Sequence, residues 1–490
     1  MSFGIVGYGA YIPRMRMSRQ AIHQANAWFA PGLKGKARGT RSLANWDEDA
    51  ITMAVAAARD ALAPAHVPPT LGAVILASTT FTFADRLNAG IVAAALNLDE
   101  AVEILDVASS RRAGLTAVNT AIARHRAGAP PTLVAASDLR RTRAASTAEM
   151  EVGDGAAALL IGDQDVIAEH LGSAAISVDF VDHFREAGQD IDYVWEERWI
   201  RDEGVSKIAP RAAAAALEKA GISGAEVDHF IFPSTLKGMA AQVAKTLGVP
   251  AEAVVDDLAA QVGDTGVAHS LLLLSGMLET ARPDAVILVL EFGTGAEAVV
   301  WRTTERVGQV KPRRGLSGWL ARGVEETNYT RLLAYRGQLE LEKGMRGEQD
   351  KKTALTTLYR HREAIMALVG GKCRETGSVH FPPSRLSYDP QHAALDTQEP
   401  YPLADRPARI LSWSAEYLSY YPSPPHHYGQ IDFEGGGRIL MEFTDVAPGD
   451  VETGDAMEMV FRVKDRDQTR HFTRYFWKAS PVREAAKGES

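Results

Sequence analysis

The chain has 490 residues, 46% hydrophobic and 23% charged, with a formal net charge of −9 at pH 7; this length and apolar content support two to four domains with real cores. Its basic residues are scattered along the chain, which excludes the concentrated positive stripe of a nucleic-acid binder. Its single cysteine, Cys373, excludes an intramolecular disulfide framework and fits a reducing cytoplasm.

The opening residues, MSFGIVGYGAYIPRMRM, have no basic region followed by an apolar run and a small-residue cleavage site. They read as a short strand with a Gly turn, with no signal peptide. The next elements are an Ala-rich helix, ITMAVAAARDAL (51–62), and an apolar strand closing on a Ser-Thr turn, LGAVILASTT (71–80). A further strand follows, PTLVAASD (131–138). The same order then recurs: helix APRAAAAALEKAG (209–221), strand VDHFIFPST (227–235), strand DAVILVLEFGTG (284–295). Ser78 and Ser234 end the two matching turns, 156 residues apart. Short apolar strands alternating with helices imply βαβ units and sheets buried on both faces. The repetition predicts two similar halves, 1–165 and 166–303. The most apolar runs, 271–278 and 285–292, are far below the roughly 18 residues of a membrane helix, so no membrane association is expected.

Between the repeated elements lies an acidic, aromatic run, DHFREAGQDIDYVWEERWIRDEG (182–204). It reads as a pocket-lining or dimer-contact insertion, and His183 within it is a weak catalytic candidate. After residue 303 the texture changes. VGQVKPRRGLSG reads as a linker, and the charged stretch from 329 to 371 as one long helix ending at Gly370-Gly371, together a linker and helical segment over 304–370. Residues 371–408 form a loop region, and 409–480 carry short alternating strands of a small all-β barrel or sandwich. The tail REAAKGES reads as disordered.

GIVGYGAYIP, GDGAAALLIG (153–162), GDTGVAH (263–269) and EFGTGA (291–296), together with the paired halves, resemble the condensing enzymes of the thiolase superfamily over about residues 3–303. The nearest likeness is to 3-hydroxy-3-methylglutaryl-CoA synthase of the archaeal and bacterial type and to 3-oxoacyl-ACP synthase III. The remainder is similar to the OB-fold proteins with a zinc ribbon that accompany acyl-CoA thiolases. The resemblance implies an α/β fold, duplicated and layered α/β/α/β/α, followed by a helical linker and a small all-β OB-fold domain. It also implies CoA thioester substrates and a homodimer, while the lone cysteine and the lack of a signal peptide point to a cytoplasmic location.

In that family a cysteine thiolate forms an acyl-enzyme, His and Asn activate the second substrate, backbone N–H groups hold the oxyanion, and the synthases add a Glu. Here the register from Asp106 and Gly114 places Arg111 at the nucleophile's position, with Ser110 one step away. Pro233, beside Ser234, stands for the His, Asp264 for the Asn, and Thr79 for the Glu. The acyl-cysteine mechanism is therefore out of reach. The replacements are polar, and they suit aldol, retro-aldol or β-keto cleavage through an enolate. Arg111 would bind an oxygen or a carboxylate, and Asp264 would be the general base. Ser110 and His269 are further candidates, although a histidine on a helix is more often structural. Lys237 and Lys245 are candidates for the CoA phosphates, and Gly293 and Gly295 for the oxyanion site, alongside the backbone at Arg111. The zinc-ribbon places hold Cys373, Thr376, Ser387 and His392. Structural zinc wants four S or N ligands, so no bound zinc is expected. The alternative reading is a non-catalytic CoA-binding scaffold subunit working with a thiolase-family partner.

Overall fold

Buried Val, Ile, Leu and Ala runs build a nine-stranded sheet in the first part of the chain. Its strands are β1 (Gly4–Tyr11), β2 (Ala73–Ala77), β3 (Glu103–Val107), β4 (Thr132–Asp138), β5 (Gly155–Gly162), β6 (Ala168–Ser177), β7 (His229–Ile231), β8 (Val286–Phe292) and β9 (Gly295–Thr303), in the order β7-β8-β9-β6-β1-β5-β4-β2-β3. The computed structural model describes residues 2–63, 70–342, 354–389 and 391–483. The expected disordered tail lies almost wholly outside them.

The predicted repeat is explicit in the pairing. From β1 outward, β5 and β4 pair antiparallel, then β2 and β3 parallel. From β6 outward, β9 and β8 pair antiparallel and β7 parallel. The counterpart of β3 is reduced to one parallel bridge, Phe230 to Val254. The two series meet where β1 pairs β6 at Gly4 and Ile5. Equivalent helices cover them, α1 (Ala50–Leu62) and α3 (Ser206–Ala220), with α2 (Ala113–Arg126), α4 (Met239–Leu247) and α5 (His269–Thr280) completing the layers. A Cβ at Gly9 would come within 2.4 Å of the α1 backbone, and one at Gly172 within 2.8 Å of α3. Each half thus uses a glycine to seat its helix directly on its first strand. Asp49 caps α1 in a reciprocal pair with Thr52, and Gly221, at φ +66°, ends α3, as left-handed C-terminal glycines do. α5 reads HSLLLLSGMLET and buries residues on all its faces, the pattern of a helix enclosed on every side.

Residues up to Leu333 pack into this unit, except Asn45–Glu48 and Ile91–Asp99. The 304–328 stretch is therefore more than a linker: Gly315–Ala321 is a helix and Val324–Glu326 pairs with Met15–Met17. The buried carboxyl of Asp60 accepts from the Arg314 and Gly315 N–H groups at 2.6 and 3.0 Å, fixing the start of that helix.

The second unit holds an antiparallel five-stranded sheet. Its strands are β10 (Ala408–Glu416), β11 (His426–Phe433), β12 (Arg438–Glu442), β13 (Ala456–Asp467) and β14 (Phe472–Pro481), in the order β12-β11-β10-β13-β14, and a bridge from Phe443 to Ala479 links the two ends. This is the small all-β domain expected. The long helix expected over 329–371 is not formed. Tyr329–Tyr335, Leu355–Arg360 and Arg362–Met366 are separate short helices, and Gly370-Gly371 lies inside the strand Val369–Cys373; residues 343–353 are outside the described residues. Charged, helix-favouring composition gave way there to pairing with Gln398–Pro402. Cys373 is buried, its sulfur 3.1 Å from Thr397 Oγ1, with the Thr376 N–H donating to it at 3.4 Å. His392 is exposed and pairs with Glu375 at 2.9 Å. Among the described residues no cluster of His, Cys, Asp or Glu has a metal-holding arrangement.

This unit also encloses a charge network. Lys478, 1% exposed, contacts Asp47 at 3.0 Å and Glu442 at 3.1 Å, and Arg462, equally buried, contacts Glu48 and Asp445.

Candidate active site

α2 and α5 begin side by side in the first unit. A Cβ on Gly114 would lie 2.3 Å from the Val267 carbonyl, so glycine there lets the two helix starts approach. The turns feeding them are strained or glycine-built: Ser109 has φ +70°, Gly263 +76° and Gly266 +64°. A side chain with a Cβ is costly in that left-handed region. Asp138, fully buried, holds this geometry by accepting from the Thr79 N–H at 2.8 Å and the Val267 N–H at 3.1 Å.

This construction brings Arg111 and Asp264, 153 residues apart, into an ion pair through Arg111 Nη2. Both line a cavity of about 460 Å³, within the usual size of small-molecule sites. A cation at the N-terminus of a helix is disfavoured by the helix dipole, and Asp264 offsets that. Arg140 adds a second contact to Asp264 at 3.4 Å and reaches Asp192 at 2.9 Å, which in turn accepts from Arg185 at 2.9 Å. Burial alone would raise the Asp264 pKa, but the facing Arg111 and Arg140 outweigh it and hold the carboxyl well below the usual carboxylate range. So stable a carboxylate is a weak base, which counts against the general-base role expected of Asp264. Its work here is to hold Arg111.

Sequence reasoning missed Glu291. It closes the apolar strand β8, is 5% exposed, lines the cavity and accepts from the Ser270 hydroxyl. The Leu115 N–H approaches it at 3.5 Å. Burial pushes its pKa up to about 8; the donors from Ser270 and Leu115 lower it, neighbouring Glu297 raises it and the Arg111 charge lowers it. The signal was available in the sequence, as one ionisable residue ending VILVLEF. Arg140, Arg185 and Asp192 were also missed.

The other candidates fall out as follows. Ser110 donates to the Gly293 carbonyl at 2.9 Å and does not line the cavity. His269 accepts from the Thr265 N–H at 2.9 Å and donates to the Asp257 carbonyl at 2.7 Å, so both ring nitrogens are engaged, and it lines a second cavity beside Asp264. Gly293 donates its N–H to the Gly295 carbonyl at 2.9 Å, and neither glycine lines the cavity. Thr79, at the position of the synthase glutamate, donates its hydroxyl to Asp138 at 2.9 Å. Pro233 and Ser234 do line the cavity, as do Asp182 and His183, which pair at 2.9 Å. The 182–204 insertion is a cavity wall, as expected of one of its two readings. An adjoining cavity of about 330 Å³ shares Asp264, Pro233 and Ser234 and is edged by Lys36, Arg38 and Lys237. Lys245 is exposed on α4 and lines neither cavity. Among the described residues no helix is long and apolar enough to cross a membrane.

Chemically the site combines a helix N-terminus, a guanidinium held by a carboxylate, and a second carboxyl able to change protonation near neutrality. Such a set can stabilise an oxyanion and move a proton.

Residues 217–303 match the family model for the C-terminal part of 3-oxoacyl-[acyl-carrier-protein (ACP)] synthase III, and residues 399–462 that of the C-terminal OB-fold domain of ChsH2. The hydroxymethylglutaryl-CoA synthase of Caldivirga maquilingensis is 30% identical over 353 residues, covering 70% of this chain and all of that protein. That of Aeropyrum pernix is 31% identical over 350 residues, covering 70% of this chain and 96% of the relative. Among solved structures, 3-oxoacyl-(acyl carrier protein) synthase III from Pseudomonas aeruginosa matches with TM-score 0.54 at 22% identity, covering 62% of this chain and 98% of that one. MvaS in complex with 3-hydroxy-3-methylglutaryl coenzyme A matches at 0.55 and 20%, covering 68% and 91%. These structures share the fold of the first unit.

Proposed function

The chain belongs to the hydroxymethylglutaryl-CoA synthase family, and on that premise we propose that it makes or breaks a carbon–carbon bond in a CoA thioester without an acyl-cysteine. The observation that carries this reading is the occupant of the nucleophile's position: Arg111, ion-paired to Asp264 on the wall of the larger cavity. The chain's one cysteine, Cys373, belongs to the other unit, so covalent thioester exchange has no sulfur in this cavity.

The acyl group lies in the larger cavity, with its thioester oxygen toward Arg111. An enolate formed there gains from the guanidinium and from the positive end of α2, both fixed before reaction. Asp264 orients Arg111 and keeps the buried charge balanced. The nucleotide end of CoA lies toward the adjoining cavity, where Lys36, Arg38 and Lys237 are exposed; charge-assisted contacts with phosphates suit such side chains. Reactions that need only an enolate and a proton carrier, aldol addition or its reverse, fit this set better than acyl transfer.

The test is Arg111→Ala, assayed on β-hydroxyacyl-CoA and β-ketoacyl-CoA esters. Loss of turnover with the fold retained supports the assignment; an unchanged kcat contradicts it.

A further inference from the structure

Six carboxyl side chains line the larger cavity: Glu151, Asp182, Asp192, Glu197, Asp264 and Glu291. Four of them face a basic partner. Glu151 pairs with Lys36 at 2.5 Å, Asp182 with His183, Asp192 with Arg140 and Arg185, and Asp264 with Arg111 and Arg140. Glu197 is exposed to solvent. Glu291 alone is buried with only uncharged hydrogen-bond partners, the Ser270 hydroxyl and the Leu115 N–H. The Arg111 charge reaches it and lowers its pKa, and two residues on, a Cβ at Gly293 would lie 3.2 Å from Arg111 Cβ and backbone N. Thr79, where the resemblance puts the synthase glutamate, is tied to Asp138.

We propose that Glu291 is the acid–base group of this cavity, carrying a proton to and from a CoA thioester lodged beside Arg111. The inference rests on the acyl-CoA reading above. In the cleavage direction the Glu291 carboxylate takes the β-hydroxyl proton, and the β-carbon–oxygen bond becomes a carbonyl. The bond between α- and β-carbons breaks, and its electron pair forms the enolate of the shortened thioester, whose oxygen faces Arg111. The Glu291 carboxylic acid then returns the proton to the α-carbon. Atoms and charge balance with no further reactant, and the addition direction is the same path reversed. A group whose burial places its pKa at about 8 presents both forms near neutrality, as acid–base catalysis requires.

The experiment compares wild type, Glu291→Gln and Glu291→Asp, each checked for folding by thermal melting. Two readouts use acetyl-CoA: its binding by calorimetry, and exchange of its methyl protons in D2O followed by NMR. Wild type should bind and exchange, with a rate that rises with pH through the ionisation of Glu291. Glu291→Gln should bind with unchanged affinity and lose at least about 100-fold in exchange rate, while Glu291→Asp keeps part of it. Exchange by Glu291→Gln at the wild-type rate, or binding by wild type without exchange, overturns the assignment of Glu291 and leaves the acyl-CoA reading standing. Absence of binding by wild type overturns that reading and the assignment with it.

Discussion

Replacing Glu291 by Gln should remove a pH dependence of stability that the buried carboxyl imposes. In the folded chain its pKa is held at about 8, against an ordinary 4.5. Between those values the unfolded chain is ionised while the folded one keeps its proton. The stability this group favours is therefore complete below the lower value and lost as pH rises through the upper one. One pKa unit corresponds to about 1.36 kcal/mol, so the whole loss is about 5 kcal/mol, of which about 2.5 kcal/mol falls between about pH 6 and pH 9. Glutamine keeps the shape and an oxygen for the Ser270 hydroxyl but never ionises. Urea unfolding of both proteins across that range measures the difference directly. Wild type should weaken relative to the variant by about 2.5 kcal/mol on going to the higher pH. A wild-type-to-variant difference that stays constant with pH would refute the claim that Glu291 is buried as a neutral acid.

Arg111→Ala should lower turnover of a CoA ester by at least about 100-fold with near-UV circular dichroism unchanged; comparable kcat values would remove Arg111 from the chemistry. Lys478→Met should destabilise the second unit by about 1–3 kcal/mol, because Asp47 is left with the more distant Arg462, at 3.8 Å, and Glu442 with Lys464; thermal melting with a shift near zero would show that the network is dispensable. Metal analysis of purified protein should find no stoichiometric zinc, since Thr397, and not a second cysteine, sits against the Cys373 sulfur; one zinc per chain would overturn that.

The duplicated sheet was legible because each half repeats helix, strand and turn in the same order, and the pairing pattern of β1-β5-β4-β2 and β6-β9-β8-β7 repeats with it. Arg111 and Asp264 were found because each occupies a counted position in a recognisable motif. The lowered pKa of Asp264 was not legible, since Arg140 reaches it from a segment 124 residues away and nothing local announces it. Glu291 escaped notice for a different reason: one acidic residue after six apolar ones reads as a strand running out into solvent, whereas the end of β8 is buried. His269 and Ser110 looked chemical by residue type, and only the fold shows that backbone partners at Asp257, Thr265 and Gly293 engage them. The stretch from 329 to 371 misled because Glu, Lys, Leu and Arg favour helix locally, while strand pairing at Val369–Cys373 is set by distant residues.

The central claim is carbon–carbon chemistry on a CoA thioester in a cavity that holds no sulfur. Its most direct test is the Cys373→Ala protein, which has no cysteine at all, incubated with β-hydroxyacyl-CoA and β-ketoacyl-CoA esters and followed by mass spectrometry of both the CoA products and the intact protein. Cleaved or extended thioesters should form at the wild-type rate, with no acyl group attached to the chain. Failure of the cysteine-free protein to convert any of these esters, or accumulation of a covalent acyl adduct, would contradict it.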